Sequence, residues 1–328
     1  MRIIVTGASG FVGSRLIAEL ARAGHTGYAV SRREVAGLPP GWSWLPRREL
    51  LEGGNSFFKD RGAHQWLIHL EVKQHVEAPT EGDRREFQSV NVDGTREWLE
   101  WCDRNAVEQF ALFSTIKAVG DDNGVRDETA DSSPTSPYGA SKREAEELLS
   151  VWARTKAGRC AVILRPAVIY GPGNQANVFS MVRAIDRGFF LLVGKNENVK
   201  SLVSIMNVAA AVVHLVGRAS AGTETYYIVD RESYSVREIA NLVACELERP
   251  RRMWTLPLSL ARLVAEAGEL LRKTTGRKAP LTRSRLKALV ETTHFSCGKL
   301  LQTGFIHPQS TRDGLSEMVA WYRRINTR

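Results

Sequence analysis

Apolar positions along the chain follow two rhythms. Continuous apolar runs occur at RIIVT (2 to 6), GYAVS (27 to 31), QWLIHL (65 to 70), QFALFS (109 to 114) and AVILRP (161 to 166), each the length of a strand buried on both faces. Stretches 11 to 23, 84 to 104 and 139 to 156 space their apolar residues by three and four, as one face of a helix does. Strand, helix, strand in this order predicts a doubly wound parallel sheet with helices on both sides. After residue 170 the rhythm loosens into the loop YGPGNQAN, a helix near 177 to 187, a strand TYYIV (225 to 229) that returns to the main sheet, and a basic, helical remainder. The pattern thus divides into a sheet domain, 1–170 plus about 201–230, and a smaller, mostly helical domain, 171–200 plus about 231–328, expected to hold the substrate.

Composition narrows the class without choosing the chemistry. A chain of 328 residues with 43% hydrophobic and 25% charged residues reads as a globular protein larger than one core. No uncharged apolar run of 18 residues and no signal peptide is present, so the expected compartment is the cytosol, without membrane insertion. Cys102, Cys160, Cys245 and Cys297 are scattered without metal-ligand spacing, which argues against zinc and against a disulfide framework, and no metal site is expected. The formal charge is +9, and residues 249 to 287 hold eleven Lys or Arg against only Glu266 and Glu269. This favours anionic partners or is simply a solvated basic surface, and no nucleic-acid-binding signature accompanies it. The segment 256 to 271 is amphipathic, and the expectation is that its apolar face packs into the second domain rather than resting on a membrane surface.

Two motifs carry the chemistry. VTGASGFVG sets Gly7, Gly10 and Gly13 three apart, after a strand and at the mouth of a helix, where free N–H groups suit a pyrophosphate. Ser9, Phe11 and Val12 belong to the same dinucleotide-binding turn, and the fold becomes Rossmann-type. At the end of the second strand the chain has Ser31, Arg32 and Arg33 in place of an acidic residue, so the expected cofactor is NADP(H), with NAD(H) also possible. Further on, Tyr138 and Lys142 lie one helical turn apart. An ammonium beside a phenol is expected to lower its pKa towards working pH, making Tyr138 a proton shuttle, while a hydroxyl at the preceding strand end, Ser114 or Thr115, holds the substrate oxygen.

These residues, with NVDGT (91 to 95), STIKAVG, YGASK, RPAVIYGPG (165 to 173) and SLVSIMNVAAAVVHL (201 to 215), resemble the extended short-chain dehydrogenases/reductases of the NAD-dependent epimerase/dehydratase family. The likeness is greatest to bacterial nucleotide-sugar 4-epimerases and 4-ketoreductases of surface polysaccharide synthesis. The resemblance implies catalytic Thr115, Tyr138 and Lys142, with Ser114 one residue before, and a cofactor lined also by Leu70 and Pro166. It implies a UDP-linked hexose bound by Thr115, Tyr138, Tyr170 to Asn174, Asn177 and Lys200, support from the helix of Asn91, and a homodimer. Asn91 reads equally as a buried amide fastening helix to sheet.

Glu71, Val72 and Lys73 depart from the small residues usual beside the cofactor. Glu71 therefore points to solvent, pairs with a cation, or alters the cofactor site. Ser204 and Asn207 replace a His and an Asp of distant relatives. The expected reaction is hydride transfer at C4 of the sugar, by reduction or epimerisation. Ile116 and Lys117 stand where dehydratases carry an acidic pair. The competing readings are a reductase of a non-sugar carbonyl and a non-catalytic NAD(P)-binding regulator on the same fold.

Overall fold

The main sheet has seven strands, β1 (Arg2–Thr6), β2 (Thr26–Ser31), β3 (Trp42–Pro46), β4 (Gln65–His69), β5 (Gln109–Phe113), β6 (Cys160–Pro166) and β7 (Gly222–Ile228), of which the five other than β3 and β7 are largely buried and need no alternation. The computed structural model describes residues 1–53, 65–76, 79–120, 124–130, 133–249, 253–275 and 282–326. All seven strands run parallel in the order β7-β6-β5-β4-β1-β2-β3. The order reverses between β1 and β4, and their carboxyl ends frame the crevice where such sheets bind ligands.

Of these strands, β3 has no counterpart in the sequence reading. Its WSWLP is neither a continuous apolar run nor free of proline, and it lies at the sheet edge where proline is tolerated. The stretch expected as one helix over 84 to 104 is three pieces: a turn of helix at Glu81–Glu86, a π-helix at Phe87–Asp93 and α2 at Gly94–Arg104. With α1 (Phe11–Arg22), α3 (Pro137–Arg154) and α4 (Ile205–Val216) it covers the sheet.

One face of the sheet buries Leu16, Leu20, Val208 and Val212 of α1 and α4. The other buries Trp98, Trp101, Leu149 and Trp152 of α2 and α3. A third core, including Phe179, Val182, Ile239, Val243 and Tyr322, gathers around short strands outside the main sheet. Phe295, Leu300 and Phe305 pack into the first core, so the last third of the chain touches both.

Candidate active site

The glycine turn is shaped by contacts that no side chain fits. Gly7 lies at φ 65°, and the Gly10 N–H donates to its carbonyl at 3.0 Å. A Cβ on Gly7 would stand 2.9 Å from the Leu70 carbonyl carbon, and one on Gly13 would stand 2.6 Å from the Gly7 oxygen. Strand, turn and helix therefore close on one another only through glycine. Gly10 caps α1 without a side-chain acceptor, leaving its first N–H groups to a ligand. Ser9, Gly10 and Phe11 share a cleft of about 420 Å³ with Pro172 and Gly173. Beneath the turn, Thr6 Oγ1 accepts from the Leu70 N–H at 3.2 Å and meets His69 Nδ1 at 2.8 Å. Burial holds His69 well below its ordinary pKa, with the Lys142 charge adding to the effect.

The second motif is brought to the same crevice by Gly139. Its ideal Cβ would stand 2.2 Å from the Lys117 carbonyl oxygen, so the start of α3 packs directly on the turn that follows β5. Ser136 caps α3 by accepting from the Gly139 N–H at 3.0 Å, and Pro137 fills the first helical position. Tyr138, in that first turn, has the Thr115 hydroxyl beside its phenol, and that neighbour favours the ionised form. The edge of Phe87 and the ring of His75 flank the phenol, each with centroids 5.9 Å away. Sequence reasoning missed His75, which carries no motif and reaches Tyr138 only through the loop after β4.

The two neighbouring hydroxyls have different work. Ser114 donates to Glu146, whose carboxylate also takes Arg165 in two bonds of 2.9 and 2.6 Å. All three are buried, so Ser114 ties α3 to β5 and β6, a correction to its expected catalytic place. Thr115 alone faces the phenol. Asn91 likewise fastens elements together: its amide donates to Ser141 Oγ at 2.9 Å and accepts the Lys73 N–H at 2.8 Å.

The electrostatics reverse one expectation. Burial pushes the Tyr138 phenol up to about 12, against the pull of the Thr115 hydroxyl. Burial brings Lys142 down to about 8, with Glu146 opposing. Desolvation sets the phenol, and at rest it is protonated at neutral pH. Lys142 Nζ is fully buried and has no hydrogen-bond partner among the described residues. A buried ammonium in that state is costly and suits a ligand's hydroxyls.

Glu71 takes the second of its three options. It accepts from Arg47 Nε and from Trp98 Nε1, each at 3.0 Å, on the side of α2. Ser31 is buried, donating to the Arg33 carbonyl and accepting from Trp44 Nε1 at 3.1 Å, while Arg32 is exposed beside it. Pro166 ends β6 next to β7, and Val12 lies half-buried in the first turn of α1.

Farther out, the expected substrate residues are not all free to serve. Tyr170 is buried and donates to Asp230 at 2.9 Å, and half-buried Asn174 donates to the Ile169 carbonyl at 2.8 Å within its own loop. Asn177 is exposed at the start of helix Asn177–Asp186, and Lys200 is half-buried on a strand paired with Tyr234–Ser235. Ser204 caps α4 by accepting the Asn207 N–H at 3.1 Å, and the Asn207 side chain donates to Asp230 at 2.7 Å.

A glycine cradle, a buried ammonium without a hydrogen-bond partner among the described residues and a neighbouring Thr–Tyr pair fit a nicotinamide dinucleotide. A model of the NAD dependent epimerase/dehydratase family matches residues 3–229. The chain belongs to that family. Over 324 residues, 97% of this chain and 94% of the relative, it is 28% identical to N-acetyl-alpha-D-glucosaminyl-diphospho-ditrans,octacis-undecaprenol 4-epimerase of Escherichia coli O157:H7. It is also 28% identical, over 79% of each chain, to UDP-glucose 4-epimerase of Vibrio cholerae. Among solved structures, MoeE5 in complex with UDP-glucuronic acid and NAD superimposes with a TM-score of 0.74 at 25% identity, covering 99% of this chain and 100% of the other. The fold of this epimerase/dehydratase family member is the Rossmann-type fold of that neighbour, and the chain is an enzyme of the short-chain dehydrogenase/reductase type.

Proposed function

We propose that the chain transfers hydride at C4 of a diphosphate-activated hexose, UDP-linked in the first instance, in surface polysaccharide synthesis. The observation that carries this reading is the placing of the Thr115 hydroxyl beside the Tyr138 phenol, next to the buried Lys142 ammonium that has no hydrogen-bond partner among the described residues. A nicotinamide dinucleotide, when bound, supplies and accepts the hydride. The N–H groups after Gly10 hold its diphosphate, and Lys142 takes its ribose hydroxyls. Exposed Arg32 favours a 2′-phosphate, hence NADP(H).

At the sugar, Thr115 donates to O4 and steadies the charge that develops there. Tyr138, protonated at rest, delivers a proton to that oxygen when a 4-ketone is reduced and recovers it when a 4-hydroxyl is oxidised. Reduction and epimerisation use the same groups: Arg32 favours an exchangeable NADPH and net reduction, while two relatives are named as 4-epimerases. One of them acts on a polyprenyl-diphosphate sugar, so a lipid-linked substrate is the second reading.

Incubation with UDP-hexoses and with a polyprenyl-diphosphate hexose, each with and without NADPH, separates these outcomes. Product inverted at C4 without NADPH consumption identifies an epimerase, and stoichiometric NADPH oxidation with a 4-ketosugar a reductase. Absence of any C4 product with a dinucleotide firmly bound would instead support a non-catalytic regulator.

A further inference from the structure

We propose that the helical segment formed by Leu258–Thr275 and Arg283–Val290 rests on the anionic face of a lipid bilayer. The inward face of the longer helix is made of small residues: Ala261 and Ala265 are buried against Val193 and Leu286. Leu258 packs inward with them, but four large apolar residues point the other way, against the expectation that the apolar face packs into the domain. Leu260, Leu263, Val264 and Leu271 are 47%, 67%, 40% and 44% exposed, and their spacing places them in one stripe. Trp254 and Leu191, paired on the short strands that lead into the helix, are 80% and 51% exposed. Six large apolar side chains presented to solvent on neighbouring elements form a surface that needs an occupant.

Charge selects the occupant. Residues 249 to 287 hold eleven Lys or Arg against two Glu, an excess of nine equal to the formal +9 of the whole chain. Among the described cations of this stretch, Arg249, Arg283 and Lys287 are paired with Asp186, Glu266 and Glu291, so the excess rests on the remaining basic residues of the sequence. A second copy of so basic a stretch of sequence would bring like charge against like, whereas an anionic headgroup layer complements it and accepts the leucines at the acyl boundary. Among the described residues no helix is long and apolar enough to cross a membrane, so the segment lies on the surface. Its far end is anchored: Asn198 Nδ2 donates to the Leu289 carbonyl at 2.7 Å. The proposal does not depend on which sugar the enzyme takes.

The test is flotation of the full chain with vesicles of phosphatidylcholine alone or with phosphatidylglycerol added. Binding is expected only with the anionic lipid, each basic residue near the surface contributing about fivefold, and falling steeply as salt shortens the Debye length. Joint replacement Leu260→Asn, Leu263→Asn and Leu271→Asn should weaken it by at least roughly tenfold, leaving the melting temperature unchanged because these side chains are exposed. If that variant fails to fold, quenching by brominated lipid, compared between the wild type and Trp254→Phe, reads the same contact; equal quenching overturns the proposal. Failure of the wild type to float with anionic vesicles, equal flotation of the triple variant, or a solution dimer that the triple variant dissociates would each overturn it, the last assigning the stripe to a second copy.

Discussion

Replacing Lys142 should move stability and activity in opposite directions. The ammonium is buried and lacks a hydrogen-bond partner among the described residues, and burial brings its pKa from the ordinary 10.5 down to about 8. At about 1.4 kcal/mol per pH unit, that lowering is on the order of 3 kcal/mol of unfavourable burial. Below pH 8 the lysine is protonated in both states and the folded chain carries the whole cost. Between pH 8 and 10.5 the unfolded chain binds more protons than the folded one, so stability rises with pH, and above 10.5 this contribution is gone. Lys142→Met keeps much of the volume and removes the charge. The dinucleotide-free variant should gain about 3 kcal/mol at pH 7, and its stability should lack the wild type's rise from pH 8 to 10.5. Loss of stability from Tyr138 ionisation above its ordinary value is common to both proteins and cancels in the comparison. Urea midpoints for both proteins, stripped of dinucleotide, at fixed ionic strength from pH 7 to 10.5 measure this directly. Destabilisation of the variant at pH 7, or parallel pH profiles, would show that the ammonium is compensated and refute a lysine held ready for a ligand. Turnover of the more stable variant should nevertheless fall by roughly a hundredfold or more, because methionine donates no hydrogen bond.

The other expectations follow from individual contacts. Gly13→Ala places its Cβ 2.6 Å from backbone oxygen and should cost about 1–3 kcal/mol, read by denaturation, together with dinucleotide affinity read by fluorescence titration. Thr115→Val should cut turnover by roughly 10²–10³ while Ser114→Ala stays within a few fold and costs about 1 kcal/mol of stability; steady-state kinetics and melting separate the two hydroxyls. Glu146→Gln leaves buried Arg165 without its carboxylate and should destabilise by about 3–5 kcal/mol in urea titration. Arg32→Ala should weaken NADPH binding by roughly tenfold or more with little change for NADH, measured by calorimetry; equal losses would show adenine stacking instead.

Much of this was legible along the chain because the motifs are local. Gly7, Gly10 and Gly13 announce the turn, and the apolar runs announce β1, β2 and β4 to β6, since burial on both faces leaves an unbroken signature, while edge strand β7 shows only in its buried end, TYYIV. Edge strand β3 is half-solvated and ends in proline, so it leaves none. The π-helix at Phe87–Asp93 keeps helical spacing on either side and hides within it. Which of two adjacent hydroxyls faces the phenol depends on where Glu146 and Arg165 stand, far off in sequence. The rise in the Tyr138 pKa is a desolvation effect, and spacing conveys charge partners but not burial. The same blindness covers the leucines of Leu258–Thr275: an amphipathic period has two faces, and the alanines took the inner one.

The central claim is that Tyr138 exchanges its proton with the sugar oxygen while Thr115 holds it. Turnover and dinucleotide binding of Tyr138→Phe, measured on the same preparation with a substrate the wild type converts, test it most directly. The account predicts a loss of roughly 10²–10⁴ in turnover with dinucleotide affinity retained. Turnover equal to that of the wild type would contradict it.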